Sequence, residues 1–311
     1  MKQFYTLFFF MIIWVGSKSQ TITPAQEFII NPYQNSPSNS GFTGNHEVFV
    51  GGLYHIVGVS GSPLNVSANY NGIIKGNSGI GAKLDFEKFG AFQNINAAVS
   101  YAYHLKLANV HRLSLGLAFQ LHQTSINFAN SNSDPLNDAQ LASNELNSGV
   151  GFNAAFGLTY GWKQFMFSAA INNLIPTKKN KLNLYSTPQH LRFYLHYDIA
   201  INRKFSIKPV VLVDYTFNSA INYHGIISLK YANRVWLNVG YGANNLISAG
   251  LGALITERLS LQYTFQYALG GIIKTSAGNH QLCLGIAFGK IKSNSGSVFR
   301  KLSKSPYHDW E

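Results

Sequence analysis

The sequence predicts an all-β protein, a transmembrane antiparallel β-barrel of about 14 strands, an even number within the range of such barrels. Three observations carry that prediction. The 311 residues are 46% hydrophobic and 14% aromatic but only 12% charged, about half the charged share of an ordinary soluble domain. From Glu47 to Gly289, apolar residues alternate with polar or small ones in segments of about ten positions, the pattern of a strand facing lipid on one side and a lumen on the other. Beyond the extreme N-terminus, no apolar run is long enough for a spanning helix.

The elements follow in order. Lys2, an apolar run from Phe4 to Val15, and then Gly16, Ser17, Lys18 and Ser19 make a secretory signal peptide over residues 1–19. The run is too short to remain as a bilayer anchor. Cleavage after Ser19 leaves Gln20 first. Residues 20–46 are rich in Asn, Ser and Pro and show no strand or helix period. This extended segment could bind a partner, plug the lumen or stay disordered.

The barrel is expected over residues 47–289. Strands fall near 47–57, 64–74, 79–88, 93–105, 112–125, 149–160, 164–173, 190–200, 205–215, 221–231, 234–242, 245–255, 258–268 and 280–289. The clearest runs from Leu259 to Ala268, where Leu259, Leu261, Tyr263, Phe265 and Tyr267 alternate with Ser260, Gln262, Thr264, Gln266 and Ala268. Helical spacing cannot make that separation. With a periplasmic N-terminus, every second connection is periplasmic and short: Gly76–Asn77, Gly161–Trp162, Asn202–Arg203, Ala232–Asn233 and Thr256–Glu257. The other series holds long loops over residues 126–148, 174–189 and 269–279, predicted to be extracellular. A basic tail occupies residues 290–311.

The net charge of +12 could suggest nucleic acid or anionic lipid. Its basic residues are dispersed rather than clustered, which argues against nucleic acid. Many lie in the short turns: Lys75, Lys106, Arg112, Lys163, Arg203, Lys204, Arg234 and Arg258. There they serve as solvated interfacial residues or as a docking face for an acidic periplasmic partner. The single cysteine, Cys283, excludes an intramolecular disulfide and a Cys-rich metal site. No cofactor motif is present.

On the lumen face, a turn near Asn202–Arg203 brings Asp198 opposite Lys208 and Arg192 opposite Asp214. Lys230 joins the first pair and His224 the second, making a charge lattice that braces the wall. His104, His122, His196 and His224 with Asp198, Asp214 and Ser228 supply nominal parts for hydrolysis, but no nucleophile motif joins them. Lys83, Asp85 and Glu87 read as lumen wall before metal site. Small inward residues such as Gly116, Ala118, Gly157 and Gly250 leave space that water, the N-terminal segment or a partner must fill. In the loops, Asp134, Asp138 and Glu145, and Lys178, Lys179 and Lys181, are candidate partner contacts or simply solvated charges.

Several stretches resemble the PorP/SprF family of outer-membrane proteins. They are INPYQNSPSNSG at Ile30 to Gly41, GLYH at Gly52 to His55, GSP at Gly61 to Pro63 and GIGAKLDFEKFG at Gly79 to Gly90. YAYHLKL at Tyr101 to Leu107, INNLIP at Ile171 to Pro176, FSIKPVVLVDY at Phe205 to Tyr215 and GNHQLCLGIAF at Gly278 to Phe288 complete the ordered set. The sequence departs from the family pattern at His55, Ile56 and Val57, where Arg and Trp usually follow the GLY segment. The resemblance implies an outer-membrane barrel of type IX secretion and gliding motility, in contact with outer-membrane lipid and other secretion components in the periplasm. It also implies binding of the C-terminal domain of a secreted, adhesin-like surface protein, for export or surface anchoring. The small polar lumen face leaves a passive or substrate-specific channel as the alternative.

Overall fold

The computed structural model describes residues 26–127, 145–175, 188–217, 219–269 and 276–289. Fourteen strands run through them in chain order. They are β1 (His46–Tyr54), β2 (Leu64–Lys75), β3 (Ser78–Phe89), β4 (Phe92–Ala108), β5 (His111–Asn127), β6 (Glu145–Trp162) and β7 (Phe165–Asn172). Then come β8 (His190–Tyr197, resuming after Asp198 as Ile199–Ala200), β9 (Phe205–Thr216), β10 (Ile221–Tyr231), β11 (Val235–Gly242), β12 (Leu246–Leu254), β13 (Leu259–Ala268) and β14 (Asn279–Phe288). Each pairs antiparallel with its sequence neighbour, and β1 pairs with β14 from His46–Phe288 to Tyr54–His280. Closure leaves no free sheet edge for non-native pairing.

The predicted faces are the observed ones. In β13, Leu261 and Tyr263 are exposed while Ser260, Gln262, Thr264 and Gln266 are buried. Val99, Leu117, Ile227, Val239 and Leu251 are 57–61% exposed. Apolar surface of that extent calls for a non-aqueous surrounding, here lipid.

Three details differ from the sequence expectation. The predicted turn at Gly161–Trp162 belongs to β6, because the ladder continues to His111 opposite Trp162, with their rings stacked. The chain reverses instead beside Lys163, at φ 49°. Glu145 opens β6 opposite Asn127 rather than lying in the preceding loop. The strand expected over 190–200 breaks at Asp198, whose N–H donates to the Gln164 carbonyl at 3.1 Å. Its register nevertheless continues, from Val210–His196 to Ile207–Ile199. In the three-residue connection 232–234, Ala232 and Asn233 both have positive φ, 50° and 54°, the signs of a hairpin turn whose twist matches its strands.

Residues 26–45 lie inside the barrel. Three 3-10 turns, Gln26–Ile29, Pro32–Asn35 and Pro37–Asn39, build them into a plug in which every residue except Gln34 is buried. Pro32 and Pro37 open their turns, where a fixed φ helps and no N–H is missed. Phe28, Ile29, Ile30 and Phe42 form one apolar cluster with inward Met166, Tyr194, Val210, Leu212 and Ile226. The lumen face is therefore not uniformly polar; one arc of it is apolar because apolar plug residues cover it.

Candidate functional site

The site is the lumen, built from the plug and the wall that grips it. Three wall cations donate to plug carbonyls: Arg112 Nη1 to Phe42 at 2.7 Å, Arg192 Nη1 to Gln34 at 3.2 Å and Lys208 Nζ to Ile29 at 3.4 Å. His104 Nε2 lies 3.0 Å from the Ser40 carbonyl. Side chains complete the grip. Tyr33 Oη lies 2.8 Å from Ser100 Oγ, and Ser38 Oγ lies 2.7 Å from Thr159 Oγ1. Thr159 Oγ1 also donates to Asn39 Oδ1 at 2.8 Å. Bonds to charged donors are stronger than neutral ones.

The small wall residues give the plug its room. A side chain at Gly116 would overlap the backbone of Ser38, and one at Gly79 the Ser40 carbonyl. The N-terminal segment occupies that space.

Glu27 is fully buried, its carboxylate accepting from Ser67 Oγ at 2.8 Å and Asn69 Nδ2 at 3.2 Å. Burial raises its pKa above the ordinary carboxylate value, against the opposing pull of Ser67 and nearby Lys83. The folded state thus binds this proton more readily than the unfolded chain. The resulting stability is fully present below the ordinary carboxylate value and is lost as pH rises through the raised one. Replacing Glu27 with Gln should remove its share of that loss, so the thermal transition of the wild type should fall more steeply across the window than that of the variant. Parallel pH profiles would contradict this.

The wall charges fall into two groups. Arg192 stands opposite Asp214, with Nε 2.6 Å from Oδ1 and Nη2 3.3 Å from Oδ2. Their third member is His190, Nε2 3.1 Å from the same Oδ1. His224 pairs with Leu212 across the β9–β10 ladder and its Nε2 has no hydrogen-bond partner among the described residues, so it meets Asp214 and Arg192 through electrostatic interaction and not through a hydrogen bond. In the second group Lys230 Nζ lies 3.3 Å and His196 Nε2 3.7 Å from Asp198. Continuing the β8–β9 register places Asp198 opposite Lys208, whose ammonium reaches the plug.

Above the plug, towards the long-loop end, lies a polar vestibule with two lobes of about 400 and 340 Å³. Gln34, Lys83, Asp85, Glu87, His190 and Arg192 line both lobes. Lys83 and Asp85 pair at 3.2 Å, and Asn65 Nδ2 donates to Glu87 at 3.0 Å. Among the described residues no group of three His, Cys, Asp or Glu is placed to hold a metal. His104 does meet a serine, Ser114, at 2.7 Å, but that hydroxyl also donates to the Ser38 carbonyl. The pair is occupied in holding the plug. Ser228, named as a possible nucleophile, has no hydrogen-bond partner among the described residues.

Asp134, Asp138, Lys178, Lys179 and Lys181 lie outside the described residues, as do residues 1–19 and the tail from 290 to 311.

A closed, lipid-facing antiparallel barrel with an internal plug is an outer-membrane protein of the β-barrel class. The chain belongs to the PorP/SprF family of type IX secretion system membrane proteins, whose family model matches residues 17–286. Among solved structures it is similar to the Pseudomonas putida toluene transporter TodX, at 10% identity and TM-score 0.50, covering 89% of this chain and 97% of that one. It is also similar to the monoaromatic hydrocarbon channel CymD, at 9% identity and TM-score 0.51, covering 89% and 96%. These likenesses are of fold. No curated protein matches the sequence.

Proposed function

We propose that this barrel is a docking platform of the type IX pathway. It binds the C-terminal domain of a secreted, adhesin-like surface protein and supports its export or its retention at the cell surface, including in gliding. The observation that carries this reading is the plug. A barrel whose lumen is gripped at Phe42, Ser40, Gln34 and Ile29 is poorly suited to solute flow. Its open space is instead the vestibule at the end where the long loops lie. Membership of the type IX family supplies the context of a secretion partner.

Pull-down of the tagged full chain in native detergent should recover one surface protein, and truncation of that protein's C-terminal domain should abolish recovery. Recovery of none, or recovery unaffected by the truncation, would count against the proposal.

A further inference from the structure

We infer that the short-turn rim is a collar for the phosphate headgroups of anionic phospholipids in the periplasmic leaflet. Each of the six connections at the end opposite the long loops has an exposed cation in it or beside it: Lys75, Lys106, Lys163, Arg203 with Lys204, Arg234 and Arg258. None of these forms an ion pair among the described residues. Glu257 is the single exposed acid beside them. At the opposite end, Lys88 is the single exposed charge among residues with described side chains. Among the described residues, the exposed charge is therefore concentrated at one end of the barrel axis.

Depth and distribution identify the partner. Every cation lies within three residues of an outward apolar side chain that is strongly exposed: Ile74, Leu107, Trp162, Ile201, Tyr231 and Ile255, at 42–59%. Those side chains reach into the lipid, so the cations next to them stand at the boundary where phosphates lie. Lys163 Nζ also sits 5.9 Å from the Trp162 ring centroid, joining the apolar and charged layers at one point. The cations are spread around the whole circumference, one turn after another. A protein partner approaching from one side would meet only an arc of them, whereas a leaflet meets all. Arg112 does not belong to the collar, because it turns inward to the plug.

The test uses the full chain in mild detergent, with phosphatidylglycerol and phosphatidylcholine as probes. Phosphatidylglycerol should raise the thermal transition more than phosphatidylcholine, and native mass spectrometry should show more of it retained. Screening at high salt should shrink both differences. The variant K75Q/K106Q/K163Q/R203Q/K204Q/R234Q/R258Q should lose them entirely, and variants covering only half the ring should each lose part. Heat-modifiable migration on a gel verifies that every variant is folded. A wild type with no lipid preference, or a seven-fold variant that keeps it, overturns the inference. Equal retention of both lipids together with collar-dependent capture of an acidic periplasmic protein overturns it in favour of a protein partner.

Discussion

Replacing Arg192 with alanine is expected to lower the unfolding free energy of the barrel by about 3–5 kcal/mol, the usual cost of breaking a buried pair from one side. Its side chain is 19% exposed and that of Asp214 10%. Without Arg192, the hydrogen bond that the Asp214 carboxylate keeps among the described residues is the one with His190. The Gln34 carbonyl loses its guanidinium donor in the same step, so wall and plug weaken together. Asp214→Ala strands the guanidinium but leaves its plug contact, and should cost somewhat less. The double variant should be less damaged than the sum of the two, because the second substitution removes the charge that the first left unpaired. Urea unfolding in lipid vesicles reads all three; strict additivity would show that the two residues do not act as a pair.

Deleting residues 26–45 should convert a closed barrel into a conducting one. Barrels of eight strands are filled by their own side chains, while those of about 16–18 enclose water. Fourteen strands fall between, and here the inward wall is unusually thin at Gly79 and Gly116, where plug backbone lies against it. Removing the plug therefore leaves a void that wall side chains cannot close. It would also expose the apolar arc at Val210, Leu212 and Ile226, so reduced stability should accompany the conductance. Planar-bilayer recordings should show steady open steps for the deletion, provided its migration on a gel remains heat-modifiable, and no such steps for the full chain. Equal conductance would show that the plug does not seal the lumen.

Much of the wall was legible because its information is local and periodic. A two-residue alternation of the kind seen in β13 has one physical solution, and hairpin geometry then places Arg192 across from Asp214. The plug was not legible as a structure. Its 3-10 turns have no long period, and Phe28, Ile29 and Ile30 form a short apolar run inside an Asn-, Ser- and Pro-rich stretch. With hindsight that run and the small inward glycines are one signal, since an apolar segment needs a cover and the glycines need an occupant. His190 was missed although the strand expected over 190–200 begins with it and alternation puts it on the face of Arg192, because it stands opposite Thr216 and reaches Asp214 diagonally. The break at Asp198 was hidden because alternation passes through it unchanged, and only the hydrogen bond to Gln164 reveals it.

The central claim is that the full chain, plug in place, is a receptor for an exported protein's C-terminal domain. The most direct measurement is the binding of that purified domain to the full-length barrel in lipid nanodiscs. Saturable binding at one domain per barrel is the predicted result. Absence of saturable binding, while the same barrel passes ions freely in a planar bilayer, would contradict it and return the protein to the channels.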